Sequence, residues 1–156
     1  MQIAGVLQDG TGFHYLTAVP NMAPFYTQLS GNGASVAFVS YGPGLPIPTG
    51  GCYNGTKIAI VDWDAGTPTA LDDGAVPEPT IDDAASVVVL AHDGDPLGTN
   101  GYRDLEIFAV DADGANLRQL SPDVEGVFDP ADAPDLAGND SSSSFARART
   151  CSERAE

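Results

Sequence analysis

The sequence predicts an all-β protein of short antiparallel strands, and three observations lead to this prediction. Short apolar runs rich in Val, Ile, Phe and Tyr recur along the chain, and none has the length or the 3.6-residue spacing of a helix. The 18 glycines and 12 prolines supply frequent turn residues between these runs. In addition, a pattern of strand, turn and strand recurs at a nearly constant interval, which is typical of a repeat architecture.

The first repeated segment joins two predicted strands by a tight turn. It reads "QIAGVLQDGTGFHYLT" at 2–17, "KIAIVDWDAGTPTALD" at 57–72 and "EIFAVDADGANLRQLS" at 106–121. Each copy has an apolar strand, a turn bearing Asp and Gly that suits a hairpin, and a second strand that closes on a leucine. The leucines are 55 and 49 residues apart: Leu16, Leu71 and Leu120.

A second repeated segment lies between these copies. It reads "YTQLSGNGASVAFVS" at 26–40, "PTIDDAASVVVLAH" at 79–92 and, faintly, "PDLAGNDSSSSFAR" at 134–147. The serine run of the last copy replaces the strand formers, so we expect its second strand to be weak. The equivalent positions, each pair seven residues apart, are Leu29 with Val36, Ile81 with Val88, and Leu136 with Ser143.

Each interval therefore holds four short strands, which is the size of one β-propeller blade. The continuous apolar runs "IFAV" and "VVVL" suit strands covered on both faces, as happens when blades stack. A β-sandwich of the same strands is the alternative, but a sandwich needs no internal self-similarity. The propeller interpretation divides the chain into a half blade with the third and fourth strands (1–22), two complete blades (23–73 and 74–121), a degenerate half blade (122–147) and a tail (148–156).

The two segments together resemble the repeat of TolB-like β-propellers. In that repeat, "P-x-x-S-x-D-G-x-x-I-A-F" precedes "I-Y-V-x-D-x-D-G-x-x-x-x-Q-L-T", and here "LSGNGASVAFVS" and "LEIFAVDADGANLRQLS" stand in those places. The resemblance covers about residues 2–121 and, weakly, 134–147. It implies a propeller, a periplasmic or extracellular location and a role in binding proteins of the cell envelope. The start, "MQIAGVLQDGTG", lacks the basic and apolar stretches of a secretory signal.

Two complete blades and two halves fall short of the four to eight blades that are usual. Either the chain is a fragment of a longer propeller, or two chains assemble a six-bladed ring. Open terminal sheets would expose strand edges, so we expect self-association.

The charge balance excludes one class of partner. Against 22 acidic residues stand 6 basic ones, and the net charge of −16 repels phosphate backbones, so we expect no nucleic-acid binding. No apolar run approaches the roughly 20 residues needed to cross a bilayer, so we expect no membrane insertion. Cys52 and Cys151 show no metal or redox spacing, and whether they pair stays open.

The densest polar stretch is "HDGDPLGTNGYRDLE" at 92–106, between the second and third strands of a blade. Loops that a rigid scaffold holds in place carry much of the binding function of proteins. The oxygens of Asp93, Asp95 and Asn100 could bind calcium, but the spacing is not that of an EF-hand, and an ordinary solvated turn is the alternative. The equivalent loop one blade earlier, 41–56, should lie on the same face of the propeller. The predicted binding residues are His92, Asp93, Asp95, Asn100, Tyr102, Arg103, Asp104 and, in the earlier loop, Tyr53.

Two other features have a structural and a functional interpretation. Trp63, in "DWDAG", could anchor a partner or pack against the adjacent blade. The "DADG" stretch at 111–114 could bind calcium or form a hairpin turn. In both cases the structural interpretation is favoured.

Catalysis finds little support in the sequence. A nucleophile elbow, a phosphate loop and a dinucleotide fingerprint are absent, and His14 and His92 have no recognisable Ser or Cys partner. Asp104 and Glu106 are two apart on a predicted strand, whereas glycoside hydrolysis needs carboxylates that face each other across a substrate. We expect a non-catalytic scaffold, without cofactor or metal, that presents loops to a protein or a glycan. An accessory propeller of a larger extracytoplasmic peptidase or glycosidase, and a purely structural repeat, are the alternatives.

Overall fold

The computed structural model describes residues 1–41, 56–73, 79–102, 105–121, 135–136 and 143–144. Within these residues all helix or strand structure is β-strand, arranged as two four-stranded antiparallel sheets flanked by two hairpins. The all-β prediction is confirmed. No helix that could span a membrane occurs in the described part of the chain.

The strands follow the chain in spatial order within each sheet. The N-terminal hairpin contains β1 (Ala4–Gly5) and β2 (His14–Tyr15). Sheet 1 contains β3 (Ala23–Leu29), β4 (Ser35–Tyr41), β5 (Thr56–Asp62) and β6 (Thr69–Asp73). Sheet 2 contains β7 (Thr80–Ile81), β8 (Val87–His92), β9 (Glu106–Asp111) and β10 (Arg118–Gln119). The C-terminal hairpin contains β11 (Asp135–Leu136) and β12 (Ser143–Ser144). Each four-stranded sheet lies inside one predicted unit, while the boundaries between the units stay a prediction.

The register of the strands reproduces the repeat found in the sequence. The first and second strands of each unit pair through the same two positions, seven residues apart, in sheet 1, sheet 2 and the C-terminal hairpin. The paired residues are Leu29 with Val36, Ile81 with Val88, and Leu136 with Ser143.

Alternate residues of β4 pack in two different directions, because successive side chains of a strand point to opposite faces. Val36 and Phe38 lie on the face that contacts the N-terminal hairpin, where Leu16 is buried. Ala37 and Val39 lie on the other face, which contacts sheet 2. We call these the preceding and the following face of a sheet.

Sheet 2 repeats this arrangement one layer further along the chain. Its preceding face carries Val88 and Leu90 against sheet 1. Its following face carries Val89 and Ala91 and contacts Leu136 of the C-terminal hairpin. The hairpins and sheets therefore stack in chain order, and the middle of each inner strand is a continuous apolar run because both of its faces are buried.

The turns at one rim of the stack also touch. Asn32 donates its backbone N–H to the carbonyl oxygen of Asp83 at 2.8 Å, which joins the β3–β4 turn to the β7–β8 turn. Gly31 leaves no space for a Cβ atom because the Asp83 carboxylate lies against it. The contact fixes how the two sheets are spaced at this rim.

Candidate binding site at the end of sheet 2

The predicted binding residues lie where β8 ends and β9 begins. His92 is the last residue of β8 and pairs directly with Glu106, the first residue of β9. Asp93, Asp95, Asn100 and Tyr102 belong to the connecting loop, which we call the β8–β9 loop. Three further predicted residues lie outside the described part of the chain: Tyr53, Arg103 and Asp104.

The base of the β8–β9 loop is buried. His92, Asp93 and Asn100 expose 4%, 3% and 0% of their surface. Gly94 donates its N–H to His92 Nδ1 at 2.6 Å, and Asn100 Nδ2 donates to the Gly94 carbonyl at 2.9 Å. These bonds fold the loop back on itself, so the three buried side chains support the loop from beneath its surface.

Asp95 closes the loop with its side chain. Its Oδ1 accepts the backbone N–H of Asn100 at 2.8 Å, which fixes the five-residue span between them. Such side-chain-to-backbone bonds are a common use of Asp in turns. One of the oxygens considered for calcium is therefore engaged in holding the turn.

The His92 ring is fixed by its surroundings. It meets the Phe108 ring edge to face, with the ring centres 5.9 Å apart. Gly94 has no space for a Cβ atom because the His92 imidazole occupies it. A glycine is therefore required at 94 by the close approach of this ring.

The tip of the loop displays two apolar side chains. Leu97 and Tyr102 are 42% and 52% exposed. Between them, Thr99 Oγ1 donates to Gln119 Oε1 at 2.5 Å and ties the tip to β10. The arrangement presents an aliphatic and an aromatic surface on a loop whose residues 94–100 are tied to one another, to β8 and to β10 by hydrogen bonds.

A buried carboxylate that the sequence analysis did not assign to the site lies below the loop. Glu106 is fully buried and accepts a hydrogen bond from the Ser121 hydroxyl. Ser121 Oγ in turn accepts the backbone N–H of Ile107 at 2.8 Å. The N-terminal hairpin shows the same bond, since Thr17 Oγ1 accepts the N–H of Ile3 at 3.0 Å. A usable sequence signal existed: a hydroxyl residue follows the repeated leucine in two of the three copies.

Sheet 1 carries a residue of opposite charge at the equivalent place. Ser40 pairs with Lys57 as His92 pairs with Glu106, and Lys57 is buried. The two units thus place a basic and an acidic side chain at equivalent positions near the start of their third strands. Charged side chains are rarely fully buried, so the burial of both is unusual for their residue types.

The other two ambiguous features are structural. Residues 111–114 form the predicted hairpin turn, since Gly114 has a φ of +86° and donates its N–H to the Asp111 carbonyl at 2.8 Å. Trp63 packs against the N-terminal hairpin, as its structural interpretation predicts. Among the described residues, no three His, Cys, Asp or Glu side chains form a group that could hold a metal ion.

The comparisons with known proteins concern the fold. No family model and no curated protein matches this chain. Among solved structures, a chain of a nidogen/laminin complex matches 94% of this chain with a TM-score of 0.54 and 13% identity. An oligogalacturonate lyase in complex with manganese and an oligogalacturonate lyase from Vibrio parahaemolyticus each match 80% of it, with TM-scores of 0.56 and 0.55 and identities of 15% and 14%. These neighbours are propellers. The chain is built of β-propeller blades.

This chain spans less than half the length of those neighbours, covering 48% of the first and 36% of each lyase. Sheets 1 and 2 are complete four-stranded blades, and each hairpin supplies two strands of a further blade. The likeness extends to the blades and their stacking and not to a bound molecule.

Proposed function

We propose that this chain is part of a TolB-like propeller of the periplasm or the extracellular space, and that it binds a protein partner through the β8–β9 loop without catalysing a reaction. The observation that carries the proposal is the pinned loop itself, with a buried polar base and with Leu97 and Tyr102 exposed at its tip. The TolB-like part and the location rest on the sequence resemblance.

A pre-organised loop favours binding because it loses little conformational freedom when a partner docks. Asn100 is bonded at both its backbone and its side chain, and Thr99 is bonded to β10, so the path of residues 94–100 is held before any partner docks. Tyrosine is among the residues that contribute most to binding energy at protein interfaces. Tyr102 is therefore the side chain from which we expect the largest contribution.

Charge favours a protein partner over an acidic glycan. The chain carries a net charge of −16, which repels polyanions and attracts basic surfaces. Within the described residues, the basic side chains are Lys57, which is buried, and Arg118, which forms an ion pair with Asp111 at 3.3 Å. A partner with a basic surface around an apolar pocket would match this loop and its surroundings.

The test is site-specific photo-crosslinking in a cell-envelope extract. A photoreactive phenylalanine analogue replaces Tyr102 in one variant and Tyr26 in the control, because Tyr26 is similarly exposed at 48% but lies on β3. We expect one protein adduct from position 102 that weakens at high salt, and none from position 26. Equal adducts from both positions, or none from position 102, would contradict the proposal.

Self-association through open blade edges belongs to the same proposal, since unpaired strand edges template pairing with another chain. We expect light scattering to show a mass that rises with protein concentration. A constant monomer mass would remove this part and leave the loop proposal standing.

An accessory propeller of a larger carbohydrate-active or proteolytic enzyme is the second candidate. The fold likeness to oligogalacturonate lyases is the observation that favours it. Calorimetry with oligogalacturonate, with and without Mn²⁺, distinguishes the two candidates. Saturable binding that Tyr102→Ala abolishes would favour the second candidate over a protein partner.

A further inference from the structure

His14 joins the N-terminal hairpin to sheet 1 through both nitrogens of its ring. Nδ1 lies 2.8 Å from the carbonyl oxygen of Gly12, within the hairpin. Nε2 lies 2.8 Å from the carbonyl oxygen of Trp63, the residue that follows β5 of sheet 1. The imidazole therefore spans the contact between two stacked units.

A carbonyl oxygen can only accept a hydrogen bond, so each of these two contacts needs an N–H on the ring. Neutral imidazole has one N–H and imidazolium has two. The neutral form would leave one ring nitrogen facing a carbonyl oxygen with lone pair against lone pair. The geometry is thus fully satisfied by the protonated ring alone.

The charge of Asp64, on the β5–β6 turn, also favours a cation at this contact. Asp62, the last residue of β5, accepts the Ser35 hydroxyl at 2.6 Å, and Asp9, on the hairpin turn, accepts the Thr11 N–H at 2.9 Å. The hairpin's own cation, the Met1 ammonium, is bonded to the carbonyl of Met22 at 3.1 Å. The hydrogen bond to Gly12, then that to Trp63, and then the charge of Asp64 raise the pKa of His14 above 6.5.

Other contacts between the hairpin and sheet 1 accompany those of His14. Ala18 donates its N–H to the Gly66 carbonyl at 3.0 Å. The Trp63 ring lies against Gly5, where an added Cβ would come within 2.6 Å of two ring carbons. The His14 ring also meets the Trp63 ring edge to face, with the centres 4.9 Å apart. A neutral ring has one N–H for two carbonyl oxygens, so deprotonation costs either the bond that crosses to Trp63 or the bond to Gly12 that positions the ring within the hairpin.

We propose that His14 is a pH-dependent clasp, whose protonation locks the N-terminal hairpin onto sheet 1 and whose deprotonation loosens it. A group whose pKa is raised in the folded state contributes stability that is complete below its unfolded pKa and is lost as pH rises through its folded pKa. The clasp is accordingly closed in mildly acidic solution and weakens as the solution becomes neutral to alkaline. The proposal does not depend on the proposed function.

The first test is the titration of the His14 ring in the intact protein, followed by ¹⁵N NMR. We expect both ring nitrogens to carry protons at pH 6.5, with a midpoint above the ordinary value for histidine. His92, the only other histidine, serves as the internal comparison. A His14 midpoint at or below 6.5, or a single protonated nitrogen at pH 6, would overturn the proposal.

The second test follows docking itself through hydrogen exchange at the Ala18 amide, which is bonded across the contact. After correction for intrinsic exchange, we expect its protection to fall several-fold between pH 5.5 and pH 8, in step with the His14 titration. Emission from Trp63, the only tryptophan, should change over the same range.

Two variants separate the clasp from general damage to the hairpin. In His14→Gln the pH dependence of both signals should vanish. In Thr11→Ala, which removes a hydroxyl bonded to Asp9 in the hairpin turn, protection should fall equally at all these pH values. If the pH dependence persists in His14→Gln, the proposal is wrong.

Discussion

Sheets 1 and 2 are two copies of the same four-stranded unit, and their inner strands pair alike while their outer strands differ in length. Their inner strand pairs, β4–β5 and β8–β9, have the same register and the same division of side chains between two faces. The outer strands differ, since β3 and β6 have seven and five residues while β7 and β10 have two each. Register is specified most strongly where both faces are buried, and strands at a sheet edge tolerate variation.

The two sheets also fill the same space with different residues. On the preceding face of sheet 1, Phe38 pairs with Ala59, whereas on that of sheet 2, Leu90 pairs with Phe108. One phenylalanine is present in each case, on opposite strands. The comparison teaches that either inner strand of a sheet can supply the aromatic ring at this layer.

The largest expected effect tests this equivalence. Phe38→Ala and Phe108→Ala each remove a fully buried ring and should lower the free energy of unfolding by about 3–5 kcal/mol. Phe13→Ala is the control, because Phe13 is 64% exposed and should cost little. Urea denaturation measures all three, and a loss under about 1 kcal/mol at Phe38 or Phe108 would contradict the equivalence of the two layers.

The hydroxyl bonds at the strand ends provide a second test. Ser121→Ala removes the acceptor of the Ile107 N–H and a partner of buried Glu106, and should cost about 1–3 kcal/mol of unfolding free energy. Thr17→Val keeps the shape but removes the acceptor of the Ile3 N–H, and should cost less because no buried carboxylate is affected. Equal losses in urea denaturation would show that Glu106 does not depend on Ser121.

The turns before β4 and β8 should respond in opposite directions to matched substitutions. Gly33 and Ala85 are at equivalent positions, with φ values of +73° and +62°. This region is costly for any residue with a Cβ, so Gly33→Ala should destabilise by about 1 kcal/mol and Ala85→Gly should stabilise by less than that amount. Thermal denaturation of the pair measures both, and shifts of the same sign would contradict the assignment.

The smallest effect concerns the β9–β10 turn at low pH. The hydrogen bond from Asn116, aided by Arg118, holds the pKa of Asp111 below 3.8. The stability that this carboxylate contributes is present above its unfolded pKa and is lost as pH falls through its folded pKa. Asn116→Gly removes the bond and keeps a residue that tolerates the φ of +53°, so the Asp111 pKa measured by NMR should rise. An unchanged pKa would assign the shift to Arg118 alone.

Much of the fold could be predicted from the sequence because the repeat consists of apolar residues at recurring spacings. The spacing from Leu29 to Val36 and from Ile81 to Val88 corresponds to pairs of residues that face each other on neighbouring strands. The continuous apolar runs in β8 and β9 reflect the burial of both faces of these strands. The glycine of the "DADG" turn likewise predicted a hairpin, and Gly114 has the positive φ that such a turn uses.

The site was harder to predict, because burial of a polar residue depends on partners that are distant in the chain. His92, Asp93 and Asn100 stand in the predicted loop, but their side chains lie beneath it, and Leu97 reaches the surface instead. Glu106 is the first residue of β9 and Lys57 the second of β5, and their neighbours in the sequence do not indicate burial. The contact of His14 with Trp63 joins residues 49 positions apart and follows only from stacking.

Because each inner strand contributes to two layers at once, neither sheet has a core of its own. Val36 and Phe38 are sealed by one neighbour while Ala37 and Val39 are sealed by another. The two sheets should therefore unfold cooperatively, because unfolding of either sheet exposes the buried face of the other to water. A chain severed between residues 73 and 79 should yield two halves that fold only when they are mixed.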